Sequence, residues 1–143
     1  MFQKLNLQYF FSYTGLIPFF YIIFDKYLFL QLKEEIIINF ALYYSLLILV
    51  FIGSMNWNLK IKVDNFTTIY GFLPSLLAMI MVFLNLINFD YFYTIAMIII
   101  VLLLQLFFDY IFIYGKEINK TPFYLIRTPL TLIIILILAL IIY

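Results

Sequence analysis

The sequence predicts an all-α membrane protein, a bundle of about five transmembrane helices with its N-terminus inside and its C-terminus outside. The 143 residues are 68% hydrophobic and 10% charged, and their mean hydropathy is +1.17. Soluble domains average roughly 45–50% apolar and about 25% charged residues. A soluble domain of this length has too little interior to bury so much apolar surface. The bilayer is therefore the expected solvent and a direct partner of the chain.

Five apolar runs are long enough to cross a membrane, because about 20 helical residues cover a hydrocarbon core of ~30 Å. An open sheet is excluded, since lipid leaves its edge N–H and C=O groups unpaired. A β-barrel requires alternating apolar and polar residues, which these runs lack. One transmembrane domain should fill residues 1–143. Its predicted spans are 9–32, 36–52, 66–87, 91–112 and 123–143.

The lysines indicate the orientation, because inner loops of membrane proteins are enriched in Lys and Arg. With the N-terminus inside, the outer side keeps only Lys26 and Lys33. The inner side then holds Lys4, Lys60, Lys62, Lys116 and Lys120. This asymmetry predicts that the N-terminus lies inside, in cytoplasm or matrix, and that the C-terminus lies outside.

Composition also limits the chemistry that the chain can perform. It contains neither Cys nor His, which removes disulfides, thiol nucleophiles, the commonest metal ligand and the commonest general base. We expect no cofactor and no metal site. The net charge is +1, and without a basic cluster nucleic acid is not an expected partner.

Each predicted span carries its polar or helix-breaking residues toward the inner leaflet, and this pattern predicts one inner-leaflet polar cluster. Ionisable residues inside membranes are costly and are usually paired or functional. The candidate members are Pro18, Gly53, Asn56, Trp57, Pro74, Ser75, Gln105, Asp109, Arg127 and Thr131.

Simpler interpretations of these residues remain open. In these interpretations the prolines are expected to be ordinary kinks of membrane helices, and Trp57 is expected to be an interfacial anchor. Gly53 is a helix C-cap, where a positive φ costs least, and Asn56 is a loop residue that faces water. Asp109 reaches water from the helix end.

Two contacts follow from counting depth at 1.5 Å per residue. Asp109 lies ~5 Å from the inner end of the fourth span, and Arg127 lies ~6 Å from the start of the fifth span. A short loop joins these spans, so they should pack antiparallel and form an Asp109–Arg127 ion pair. Gln105 should lie nearby, and Thr131 should lie one turn above Arg127. The segment 53–58, including Trp57, should contact the third span near Pro74.

Five stretches of the chain share a known family pattern: Tyr13–Phe19, Tyr43–Trp57, Leu73–Ala78, Leu104–Asp109 and Pro122–Arg127. They resemble the transmembrane protein 69 family, a group of small bacterial and mitochondrial inner-membrane proteins classed as a domain of unknown function. The resemblance covers nearly the whole chain in order. Asn56 stands where the family usually has His, and Ser54 where it has Gly. The resemblance implies a multi-pass bundle in the bacterial inner (cytoplasmic) membrane, or alternatively in the mitochondrial inner membrane, but no established activity.

Three function classes remain. The first is a non-enzymatic accessory or assembly factor that binds a larger inner-membrane complex, or itself as an oligomer, through helix–helix contacts. The second is a small carrier or channel with the inner-leaflet cluster as its site. The third, an intramembrane enzyme, is disfavoured because Asp109 alone offers no catalytic pair.

Overall fold

A computed structural model describes residues 10–54, 65–116 and 121–143, and this part of the chain is helical without strands. This confirms the predicted all-α fold class. We number the five α-helices in chain order. They are α1 (Ile17–Phe24), α2 (Glu34–Ser54), α3 (Asn65–Leu86), α4 (Tyr91–Phe108) and α5 (Thr128–Ile142).

Three short π-helical turns adjoin these helices. Asp25–Phe29 follows α1, Asp109–Ile113 follows α4, and Phe123–Arg127 precedes α5. In a π turn each N–H bonds to the carbonyl five residues earlier, so the turn is wider than an α-turn. Such turns occur mostly as local interruptions of α-helices, often at functional sites. Here they lie where Asp25, Asp109 and Arg127 interrupt the apolar runs.

Four of the described helices are long and apolar enough to cross a membrane: Glu34–Ser54, Thr68–Leu86, Tyr91–Ile113 and Phe123–Ile142. In the last three, only 28% of the apolar window is buried inside the protein. Their outward side chains are mostly large and hydrophobic, a surface that suits lipid and not water. The length and composition of these helices indicate a multi-pass membrane protein.

The first apolar run differs from the uninterrupted helix predicted for residues 9–32. It is helical at residues 10–14, turns at Gly15 and Leu16, and restarts as α1. Pro18 lies in the first turn of α1, where the missing N–H of proline costs nothing. Pro18 therefore begins a helix here, instead of bending one as the kink interpretation expected.

Asp25 accepts two backbone hydrogen bonds near the end of the first apolar run. Its carbonyl accepts the N–H of Leu30, which has a left-handed φ of 52°, and its carboxylate Oδ2 accepts the N–H of Leu32 at 2.8 Å. Asp25 is almost completely buried. These two bonds end the π turn before α2, whose first turn carries Glu34 and Glu35, as the helix dipole favours.

The chain forms two compact units. The first contains residues 1–41 and 99–143, and the second contains residues 42–98. In the first unit α1 packs against α5. The second unit contains the α3–α4 connection, where Asn88 has a left-handed φ of 57°. The N–H of Asn88 bonds to the Asn85 carbonyl, and that of Phe89 to the Leu84 carbonyl, which is the Schellman pattern of a helix C-terminus.

Candidate functional site

A buried ion pair joins the end of α4 to the beginning of α5 in the first unit. Arg127 Nε donates to Asp109 Oδ2 at 2.7 Å, and the two side chains are only 11% and 3% exposed. This confirms the predicted ion pair. It also contradicts the alternative in which both side chains reach water separately. Pairing satisfies two groups that are each costly alone at this depth.

The Arg127 guanidinium contacts its own helix as well as Asp109. Its Nη1 donates to Thr131 Oγ1 at 3.2 Å, and the Thr131 hydroxyl donates to the Arg127 carbonyl at 2.8 Å. Thr131 is buried one turn above Arg127, as predicted. Within the described ranges, Arg127 Nη2 and the neighbouring Thr128 hydroxyl are buried without a hydrogen-bond partner. Arg127 thus binds Asp109 through Nε, and its Nη2 group is a buried donor that no described acceptor satisfies.

Both charged residues belong to π turns. Asp109 begins the turn after α4, and its carbonyl accepts the N–H of Tyr114. Arg127 ends the turn before α5, in which the N–H of Thr128 bonds to the Phe123 carbonyl. Gln105 lies one α-turn before Asp109 and is only 4% exposed. It shares the buried side of α4 with Asp109, as its spacing of four residues predicted.

Gly53 and Pro74 meet within the second unit. A Cβ added to Gly53 would lie 2.7 Å from Pro74 Cγ and 3.0 Å from the Gly71 carbonyl oxygen. The predicted contact between this segment and the neighbourhood of Pro74 is therefore confirmed for Gly53. Pro74 lies inside α3, and Ser75 beside it is half-buried.

The C-cap interpretation of Gly53 is wrong. Gly53 lies within α2, and none of the described glycines has a positive φ. Its physical role is to let two helix backbones approach closely, as small residues do in membrane helices. Asn56 and Trp57 lie outside the described residues, so their predicted place beside Pro74 stays a prediction.

A family model described as "Protein of unknown function (DUF3429)" matches residues 6–143, which include the ion pair and the Gly53–Pro74 contact. The chain belongs to this family. Searches of curated proteins and of solved structures found no match.

This DUF3429 chain also contains a contact that its sequence did not suggest. Pro129 has no N–H for the carbonyl four residues earlier, that of Leu125. The hydroxyl of Tyr13 donates to this carbonyl at 2.7 Å. A tyrosine before α1 therefore satisfies an acceptor that a proline in α5 exposes. The spacing of Leu125 and Pro129 could have indicated the free acceptor, but nothing in the sequence indicated its donor.

A second unexpected contact lies at the other end of α5. Lys26 Nζ donates to the Ile141 carbonyl at 2.6 Å, and the Tyr27 hydroxyl donates to the Leu140 carbonyl at 2.9 Å. Carbonyls in the last turn of a helix lack intrahelical donors and attract cations. The only signal in the sequence was the Asp25–Lys26 pair inside an apolar run.

These contacts define the direction of the helices in the first unit. Tyr13 precedes α1 and meets the start of the last span, whereas Lys26 and Tyr27 follow α1 and meet the end of α5. The α1 and α5 helices therefore run parallel. The Asp109–Arg127 pair joins the π turn after α4 to the π turn before α5. Hydrogen bonds from Tyr13 at one end, and from Lys26 and Tyr27 at the other, join the first apolar run to the last span.

Proposed function

We propose that the chain is a non-enzymatic accessory or assembly factor of an inner membrane, and that it acts through helix–helix contacts. Its partner is a larger inner-membrane complex or a second copy of the chain. The lysine asymmetry supports an N-terminus inside and a C-terminus outside. The motif resemblance supports the narrower assignment to the transmembrane protein 69 group, in a bacterial or mitochondrial inner membrane.

One contrast carries this proposal: Asp25, Lys26, Asp109 and Arg127 bind other groups of the first unit, whereas the outer faces of the spans are apolar. Arg127 binds Asp109 and Thr131, and Lys26 binds the end of α5. Outward side chains such as Leu47, Met79 and Phe83 are more than 60% exposed. Lipid and a partner helix are equally apolar, so association in membranes depends on close packing of such faces.

The proposal is tested by isolating the full chain from its native membrane in a mild detergent. We expect one membrane protein or complex, or a second copy, at fixed stoichiometry. Leu47→Trp, Met79→Trp and Phe83→Trp each alter an exposed apolar surface, so at least one should release the partner without lowering the thermal stability of the chain. A monomer without a stoichiometric partner in the native membrane would contradict the proposal.

A small carrier or channel is the second candidate, favoured by the buried donors Arg127 Nη2 and Thr128 Oγ1. Buried polar groups normally have partners, and a transported solute with acceptor oxygens suits these two donors. The purified chain in liposomes should then pass such a solute. Thr128→Val should reduce this flux, whereas the matched Thr94→Val, in a buried threonine of the second unit, should not. Absence of flux for anions and neutral oxygen-bearing solutes alike would eliminate this candidate.

A further inference from the structure

Four aromatic residues cluster at the end of the first unit that contains the ion pair. The Phe123 ring is buried, and its centroid lies 5.4 Å from that of Tyr110, 5.1 Å from that of Tyr114 and 5.5 Å from that of Tyr124. The Tyr110 and Tyr124 hydroxyls lie close to each other. Both tyrosines are exposed, Tyr124 by 54%. We call these four residues the aromatic collar.

A second polar and aromatic group lies at the opposite end of α5. Tyr27 is 50% exposed, and its hydroxyl bonds to the Leu140 carbonyl. Lys26 Nζ lies 5.7 Å from the Tyr27 ring centroid and binds the Ile141 carbonyl. Each group thus combines an exposed ring with a polar tip. Tyrosine and lysine side chains of this kind are enriched at membrane–water interfaces.

The distance between the two groups along α5, ~24 Å, approaches the ~30 Å thickness of the hydrocarbon core of a bilayer. Tyr124 lies eight residues before Leu132, and Leu140 lies eight residues after it, so each step is ~12 Å along the helix. Half of the hydrocarbon core is about 15 Å. The large exposed side chains between these ends, Leu125, Leu132 and Leu136, are all apolar. Leu132 therefore marks the centre of an apolar band.

We propose that the aromatic collar lies at the boundary between lipid headgroups and acyl chains of one leaflet, and that the Tyr110–Tyr124 hydroxyl pair binds headgroup or ester oxygens there. Tyr27 and Lys26 lie at the same boundary of the other leaflet. The Asp109–Arg127 pair then lies just inside the hydrocarbon, about one helical turn below the collar. The collar separates this pair from water. This inference rests on the membrane location that also underlies the proposed function.

The depth of individual residues tests this placement. The single tryptophan, Trp57, is first removed by Trp57→Phe. One tryptophan is then introduced into this background, as Tyr124→Trp, Tyr27→Trp or Leu132→Trp. Each full-length variant is reconstituted in phosphatidylcholine vesicles whose lipids are brominated near the headgroup or near the chain end. Shallow bromines should quench Tyr124→Trp and Tyr27→Trp more than deep bromines do. Deep bromines should quench Leu132→Trp more.

Other outcomes overturn the placement in distinguishable ways. If deep bromines quench Tyr124→Trp as strongly as Leu132→Trp, the collar does not lie at the interface, although the chain is in the membrane. If neither lipid quenches any of the three variants, the membrane location itself fails and the proposed function fails with it. Tyr110→Trp provides a second probe of the collar if Tyr124→Trp does not fold.

Discussion

The Tyr13 hydroxyl lies 2.7 Å from the Leu125 carbonyl oxygen, which Pro129 leaves without its usual helical donor. This bond ties the segment before α1 to the start of the last span. We expect Tyr13→Phe to lower the free energy of unfolding by about 0.5–1.5 kcal/mol, because the carbonyl then has no donor in apolar surroundings. Thermal unfolding in detergent measures this change.

Tyr21→Phe is the matched control, since Tyr21 lies in α1 and is exposed. It removes the same atom from a ring without this contact and should leave stability unchanged. Equal losses for the two variants would show that the Tyr13–Leu125 bond contributes nothing.

The Asp109–Arg127 pair should behave as one unit in a double-mutant cycle. Asp109→Asn and Arg127→Gln should each lower stability by about 3–5 kcal/mol, because each leaves a buried charge without its partner. The double variant should be no less stable than either single variant. Denaturant or thermal unfolding of all four proteins gives the coupling energy, and losses that simply add would mean that the two residues act independently.

Gly53→Ala tests the close approach of two helices in the second unit. Alanine normally stabilises a helix relative to glycine by about 1 kcal/mol. Here we expect the opposite sign and a loss of about 1–3 kcal/mol, because the new methyl would overlap the Pro74 ring. The unfolding temperature reports the sign directly. Pro74→Ala should partly rescue Gly53→Ala, and stabilisation by Gly53→Ala alone would refute the contact.

Lys26→Met should destabilise the end of α5. The variant removes the donor to the Ile141 carbonyl and the cation near the helix C-terminus, an effect of about 0.3–1 kcal/mol at exposed sites and up to about 2 kcal/mol when partly buried. Hydrogen exchange of the amides in the last turn of α5 should increase. Lys33→Met removes an exposed lysine directly after the first apolar run, and it should leave that exchange unchanged.

The membrane topology of the chain gives a further prediction. Reporter fusions at the N-terminus and C-terminus should fall on opposite sides of the membrane, with the N-terminal reporter inside. The lysine asymmetry predicts the side, and the parallel α1 and α5 helices predict that the two ends of the chain differ. Reporters on the same side would mean that the first apolar run does not cross.

The sequence alone determined the class of the fold and predicted the pairing of Asp109 with Arg127. Composition indicated an apolar solvent, and a constant rise per residue predicted matching depths for these two residues on consecutive spans. Their pairing was predictable because opposite charges have few alternative partners inside a membrane. The proximity of Gly53 to Pro74 was also predictable from depth, but the reason for the glycine was not.

Tertiary structure decided the contacts whose acceptors are main-chain carbonyls. Tyr13 binds the Leu125 carbonyl, and Lys26 binds the Ile141 carbonyl, although residue identity does not distinguish one carbonyl from another. Only packing of α1 along α5 brings these donors within reach. The break at Gly15 and Leu16 was likewise decided by folding, because a hydropathy run records how apolar a segment is and not whether its backbone remains one helix. The sequence determines which side chains can donate a hydrogen bond. Which backbone carbonyls can accept one depends on where helices end, where they widen into π turns and where they contact each other.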